Sequence, residues 1–332
     1  MSLPPPKLLL VNDDDFLQHD TGLDHPESPA RLQAVYQRQA LGFPDHRLPA
    51  DAISTLPPRP AARRELTAIH TEEYLLRLEE AALAERGYLD HPDNRLSYDT
   101  YRVALLAAGA GLAAIDRLEA ANATAAGALI RPPGHHAERS TPLGFCFLNN
   151  AAVAARYWQQ RHDRKKIMII DWDAHHGNGI QAAFEDDPEV FYLSIHEHPT
   201  WSFPGTGWSE ERGQGAGRGT TLNLPLPPGS GDDLVLRLLD EVIDPALQSF
   251  APEALIIAAG FDGHHHDDMS GLSYSSELYR RLGRHAAASA ARHCPGRLLF
   301  LLEGGYQPDL LVRCLGNFLE GLLAVPPDHP GR

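Results

Sequence analysis

Cysteine is scarce: three residues in 332, Cys146, Cys294 and Cys314, far apart and without any paired spacing. That excludes a disulfide-stapled scaffold and a thiolate zinc cage, and it fits a reducing compartment. Positive charge is also short. Lys and Arg number 29 against 44 Asp and Glu, a formal net charge of -15. Such a surface repels phosphate backbones and anionic lipid, so neither nucleic acid nor a membrane is an expected partner. No apolar run reaches the roughly 20 residues that span a bilayer; the longest, Val103 to Ile115, is rich in Ala and Gly. The apolar opening Leu8-Leu9-Leu10-Val11 is too short for a signal-peptide core and runs into Asp13-Asp14-Asp15, so the expectation is a soluble cytoplasmic protein. Internal repeats and linker-like stretches are missing as well. The two proline-rich patches, Leu56 to Pro60 and Leu224 to Pro228, are only loop-sized.

What is present is a hydrophobic fraction of 43%, enough for a large core and against disorder. Short aliphatic runs recur at Lys7 to Val11, Gly127 to Ile130, Lys166 to Ile170, Val190 to Ile195, Thr221 to Leu224, Ala254 to Ala258 and Leu298 to Leu302. Several are apolar on both faces, as strands are when a parallel sheet is covered by helices on both sides. Helical patterns separate them. Ser28-Pro29 opens one, Thr71 caps another and Asn149 or Asn150 a third, with more over Tyr98 to Glu119, Asp232 to Gln248, Ser275 to Ala291 and Leu310 to Leu323. Phe203 to Gly219 carries glycines at 205, 207, 213, 215, 217 and 219 and must be an irregular loop, functional or mobile.

The 18 histidines are the outlying number, and they cluster with carboxylates at the ends of expected strands. In a parallel sheet ligands bind at the carboxyl ends, so such clusters can converge although far apart in sequence. The strongest is Asp171-Trp172-Asp173-Ala174-His175-His176-Gly177-Asn178-Gly179, where alternation puts Asp171, Asp173 and His175 on one face. Carboxylate beside imidazole at that spacing can grip a divalent metal; the plainer reading is a solvated turn. In Arg131-Pro132-Pro133-Gly134-His135-His136 a stiff loop presents two imidazoles, useful for moving a proton, although a surface pair is the bland alternative. Asp262 closes Ala258-Ala259-Gly260-Phe261-Asp262 and is weak alone. The neighbouring His264-His265-His266-Asp267-Asp268 reads better as a loop than as a metal tract. Glu303-Gly304-Gly305-Tyr306 combines glycines that allow close backbone approach with a hydroxyl donor, and alone it does not beat an ordinary aromatic turn.

Taken in order, IRPPGHHA, GFCFLNNAAVAA, DWDAHHGNG, FYLSIHEHPTWSFPGTG, AGFDG and LEGGY, with His25-Pro26-Glu27-Ser28-Pro29-Ala30-Arg31 upstream, resemble the zinc-dependent histone deacetylases over about Asp20 to Leu322. Asn178 and Glu303 resemble the class II branch and its bacterial amidohydrolase and acetylpolyamine amidohydrolase relatives. The resemblance implies an α/β arginase/deacetylase fold, one domain spanning residues 1–332 around an eight-stranded, mostly parallel sheet sandwiched by helices.

It also implies Zn²⁺ on Asp173, His175 and Asp262, His136 as general base and later acid, and His135 paired with Asp171 as electrostatic support. Tyr306 would donate to the acyl oxygen. Phe145 and Phe203 would line the acyl-lysine tunnel beside Gly144, Gly304 and Gly305, with Asp93 at the rim and Arg31 below the metal near the acetate exit. Asp171, Ser194 and the backbones of Asp173, His175 and Ile195 match a structural site for K⁺ or Na⁺. Because an Asp₂His set is harder than His-rich zinc sites, Fe²⁺ and Co²⁺ stand as alternative ions. Class I relatives carry aspartate where this chain has Asn178, and an amide does not stabilise an imidazolium as an anion does, so His136 should be the more easily deprotonated histidine.

The expected reaction is hydrolysis of N-acyl-lysine in peptides or proteins, with acetylpolyamines or other small amides as alternative substrates and the oligomeric state open, a homo-oligomer included. Two further readings compete. An arginase-like ureohydrolase needs two bridged metals, but Gly177 and His264 stand where the extra aspartates belong. A non-catalytic acyl-binding or metal-binding module would lack a base, ligand or oxyanion donor, and none is lacking.

Overall fold

The computed structural model describes residues 7–49 and 51–324; the ends of the expected 1–332 domain lie outside them. Among the described residues ten strands form: β1 (Leu8–Val11), β2 (Ile53–Leu56), β3 (Tyr88–Leu89), β4 (His91–Arg95), β5 (Ala125–Ala128), β6 (Ile167–Asp171), β7 (Val190–Glu197), β8 (Thr221–Leu226), β9 (Ala254–Ala259) and β10 (Leu298–Leu302). Eight make one sheet in the order β2-β1-β5-β10-β9-β6-β7-β8, and every pairing in it is parallel. All eight carboxyl ends therefore point to one edge. The central strands β10, β9 and β6 are buried along their whole length, which is why they read as continuous apolar runs.

Helices cover both faces, and β10 shows how. A Cβ on Gly111 of the helix Thr100–Glu119 would lie 3.4 Å from Leu301 and 3.6 Å from Leu299. Phe300, between those leucines, meets Phe318 of the helix Pro308–Leu323 edge-on at 5.1 Å. Successive strand side chains point to opposite faces, so the two helices lie on opposite sides. Gly127 of β5 is fixed by the same packing: a Cβ there would fall 2.0 Å from the Phe300 ring.

Some sequence expectations shift. The strand expected over Gly127 to Ile130 starts two residues earlier, at Ala125. The segment Asp232 to Gln248 is not one regular helix: a π-turn at Leu239–Ile243 separates Asp232–Leu238 from Asp244–Phe250. Ser28 starts its helix without a side-chain cap, whereas Thr71 and Asn149 accept from Tyr74 and Ala152 backbone N–H groups. β2 is an edge strand with Ser54 and Thr55 exposed, and the hairpin β3/β4 is polar with a proline inside, so neither carries a hydrophobic period.

Candidate active site

Three carboxyl ends supply the site. β6 delivers Asp171 and the turn through His176, β9 delivers Asp262, and β10 runs into Glu303 and Tyr306. Small residues let these turns meet: a Cβ on Gly260 would fall 2.2 Å from an Asp173 oxygen, and one on Gly304 would fall 2.3 Å from Asp262. Both aspartates are thereby held against backbone, with Asp173 accepting from Gly304 N–H (2.8 Å) and Asp262 from Ala174 N–H (2.9 Å).

Asp173, His175 and Asp262 offer ligand atoms within 4.8 Å of one another, all buried. His175 Nε2 lies 3.1 Å from the Met269 carbonyl, which can only accept, so that nitrogen carries the ring proton and Nδ1 turns a lone pair toward the site. There it faces Asp173 and Asp262 oxygens at 3.1 Å each. A lone pair against two carboxylates is repulsive unless positive charge enters, either as a second ring proton on Nδ1 or as a metal ion. The titration behaviour has the same origin: burial opposes charge on His175, yet the two aspartates outweigh it and hold its pKa well above the usual value. Asp262 is pushed up by burial and by Asp173. A divalent cation satisfies all three groups, so the donor set fits a metal ion.

The two loop histidines lie beside this trio in opposite states. Burial disfavours charge on His135, but Asp173 and Asp171 prevail and raise its pKa to about 10; its Nδ1 is 3.2 Å from Asp171. Burial, then the neighbouring His135 and His175, hold His136 well below the usual range. Its tautomer follows from Asn178. The Asn178 amide nitrogen donates to Glu138 (2.8 Å) and to the His136 carbonyl (3.3 Å), leaving Oδ1 to accept from His136 Nδ1–H at 2.9 Å. His136 is thus neutral, with its Nε2 lone pair unengaged.

Around them stand the apolar walls. Phe203 meets His136 edge-on at 5.0 Å, and Phe145 meets Tyr306 at 5.8 Å. Gly144, at φ +52°, has no room for a side chain, since a Cβ would fall 2.4 Å from His136. The Tyr306 ring lies 4.9 Å from the Arg31 guanidinium, and its hydroxyl has no hydrogen-bond partner among the described residues. Burial keeps that phenol well above its ordinary pKa, so it is a donor. Asp93 is exposed on β4, tied to the wall through His25, which reaches its carbonyl (3.0 Å) and packs on Phe145 at 4.8 Å. Arg31 donates to the Gly305 carbonyl (2.6 Å) and to Glu27 (3.0 Å). Ser194 sits beside Asp171 in the β6/β7 register, with its hydroxyl 2.7 Å from His196, and Ile195 follows it on β7.

Several contributors lie inside the quoted segments without a role assigned to them there. Glu27 pairs with both Arg31 and Arg131 in full burial, and those cations bring its pKa to about 2 against the opposing effect of burial. Tyr192 donates to Asp171 at 3.1 Å, and a Cβ on Gly177 would collide with both, so no second carboxylate fits there. Asp267 accepts from Tyr306 N–H (2.7 Å) and Met269 N–H (3.2 Å), linking the tyrosine to the carbonyl that orients His175. His264 of the histidine tract bonds Ser276 at 3.0 Å, away from the trio. A second convergence, His135, Cys146 and Glu303, lies beneath the site. There burial holds the thiol well above its usual range and raises Glu303 to about 7, which suits proton retention rather than ligation.

The histone deacetylase domain model matches residues 25–322. Histone deacetylase 10, chloroplastic, of Oryza sativa subsp. japonica is 38% identical over 313 residues, covering 91% of this chain and 70% of the relative. The histone deacetylase-like amidohydrolase of Pseudomonas aeruginosa is 35% identical over 266 residues, 80% of this chain and 70% of the relative. The crystal structure of the HDA15 HD domain superposes with a TM-score of 0.86 at 30% identity, covering 96% of this chain and 90% of that one. A family match over most of the chain, with relatives named as deacetylases and amidohydrolases, makes this protein a member of the histone deacetylase family, a hydrolase with deacetylase or amidohydrolase activity.

Proposed function

We propose that residues 20–322 form one catalytic domain that hydrolyses the side-chain amide of N-acyl-lysine in peptides or proteins, with Zn²⁺ held by Asp173, His175 and Asp262. The observation that carries this reading is a neutral His136, its free Nε2 flanked by a buried ligand trio and two aromatic walls. A divalent ion bound there supplies Lewis-acid polarisation of the acyl carbonyl and acidifies water. Phe145 and Phe203 exclude bulk solvent from the acyl-lysine stem. His136 Nε2 takes the proton of the attacking water and later returns it to the departing amine, so the two proton transfers balance. The Tyr306 hydroxyl donates to the acyl oxygen as it gains negative charge. His135, drawn toward its cationic form by Asp173 and Asp171, would stabilise that charge and keep its neighbour proton-poor, and a divalent ion held by Asp173, His175 and Asp262 would offset part of the pull of Asp173.

The further assignments follow the same reading: Asp93 holds the substrate backbone at the rim, Arg31 lies toward acetate release, and K⁺ or Na⁺ binds at Asp171, Ser194 and the backbones of Asp173, His175 and Ile195. The protein acts in the cytoplasm. The test is metal content by mass spectrometry together with turnover of a neutral fluorogenic acetyl-lysine peptide. Near-stoichiometric zinc and chelator-sensitive acetate release are expected. A metal-loaded protein inert toward acyl-lysine would overturn the substrate, and one loaded with another ion would overturn zinc.

A further inference from the structure

A cavity of about 500 Å³ lies beside the site, lined among others by Phe203, His175, Trp201, Pro228, Asp268 and Met269. Its least expected lining residue is Glu197, the last residue of β7. This side chain is 4% exposed, and both its oxygens accept from the same Gly271 N–H, at 3.0 and 3.1 Å. Among the described residues no Lys, Arg or His pairs with it. A buried carboxylate with one backbone donor and no counter-charge is unfavourable in general, so such a group points to a cation that arrives from outside. The geometry is built rather than incidental: a Cβ on Gly271 would fall 2.4 Å from the carboxylate, so glycine is what lets backbone and Glu197 meet.

The rest of the lining has the same preference. Trp201, 61% exposed and braced by His198 at 5.1 Å, offers a π face, and Asp268 adds an exposed carboxylate. Met269 and Pro228 supply apolar surface for an alkyl stem. Resting on the deacylase reading above, we propose that this cavity is a subsite for a second, cationic group of the substrate, an alkylammonium or guanidinium carried near the acylated amine. The cation reaches Glu197 past Trp201 while the acylated amine occupies the space between Phe145 and Phe203. The group can come from a basic residue flanking acyl-lysine or from the free end of a mono-acylated diamine; the recognising chemistry is shared.

The test compares Glu197→Gln, which keeps an acceptor for Gly271 N–H, with wild type. Substrates are acetyl-lysine peptides flanked by Lys or by Ala, and a mono-acetylated diamine beside its neutral monoamine analogue. In wild type the cationic member of at least one pair should lead in kcat/KM by about tenfold, the scale of one charge-assisted hydrogen bond, and in Glu197→Gln the ratio should fall below about threefold. The pair that shows the effect identifies the source of the cation. Asp268→Asn, on the exposed wall, gives a second, smaller drop if the first variant fails to fold.

The same comparison is run as binding, with a hydroxamate carrying an ammonium cap against its neutral twin, titrated into the metal-loaded protein. A Kd ratio that collapses in the variant, in a protein that turns over no acyl-lysine, keeps the subsite and overturns the reaction. Ratios near one in wild type, or unchanged by Glu197→Gln, overturn the subsite while leaving the deacylase reading standing.

Discussion

Replacing Asn178 by aspartate puts a charge where the structure has an amide, and the consequence can be worked through. The Asn178 oxygen is 2.9 Å from His136 Nδ1, which sets the two charge centres about 4 Å apart once the residue is a carboxylate. At an effective dielectric constant of about 20, that separation favours the imidazolium by about 4 kcal/mol, or about 3 pKa units. Glu138 reduces the gain, because the carboxylate that now accepts from Asn178 at 2.8 Å would face a like charge. The net expectation is a rise of about 1 to 2 units, with Asn178→Asp/Glu138→Gln recovering more of the full effect. His136 must be neutral to accept a proton, so a raised pKa moves the acidic limb of kcat/KM to higher pH. The assay is a pH profile with a neutral acetyl-lysine peptide for wild type, single and double variants. An acidic limb that stays put or moves down in both variants would show that residue 178 does not govern the base, and the proton transfer would pass to His135.

Removing either ligand carboxylate, in Asp173→Ala or Asp262→Ala, should leave less than about one-tenth of the wild-type metal after gel filtration, since three ligands leave no spare donor; near-stoichiometric metal would strike that residue from the set. Tyr306→Phe should lose about 10²- to 10³-fold in kcat with KM within a few-fold, because its hydroxyl acts on developing charge; an unchanged kcat would remove the oxyanion role. Glu303 is raised to about 7 chiefly by burial, which His135 and Gly134 N–H only partly offset. The folded chain therefore holds a proton there that the unfolded chain releases between about pH 4.5 and 7, and the ionised group costs up to about 3 kcal/mol above that window. Glu303→Gln should consequently gain Tm relative to wild type as pH rises from 5 to 8, and a difference independent of pH would contradict this.

How much of this was readable beforehand depends on how each residue is embedded. Asp171, Asp173 and His175 stand out because two carboxylates and an imidazole follow directly on a buried strand, whereas Asp262, a lone carboxylate after β9, reads as an ordinary turn residue until the fold sets it beside them. The shared sheet edge follows from the all-parallel order, so convergence is implied by topology before any coordinate is known. β2 escaped because an edge strand half open to water has no reason to be apolar. Glu27, Arg131, Tyr192 and Asp267 lie inside the quoted segments but drew no role there, because each acts by pairing with a residue distant in the chain. Glu197 is the extreme case. A glutamate at a strand end is ordinary in one dimension and anomalous only once its burial and missing counter-charge are seen.

The position of the proposed ligand carboxylates within the sheet bears on how the molecule comes into being. β6 and β9 are neighbours near the middle of the eight-strand order, joined along five residue pairs from Ile167 to Asp171, and β10 lies on the far side of β9. In small domains nucleated by an ion, the ligands share one short loop and the chain is unfolded without its metal. Here Asp173 and Asp262 acquire their separation only after strands remote in sequence have found their partners, the slow, entropically costly part of assembling a parallel sheet. The ladder at the centre therefore has to be complete before there is anything for an ion to bind. On the proposed ligand set, metal would enter a finished frame, and a chelator that removed it would leave the architecture standing.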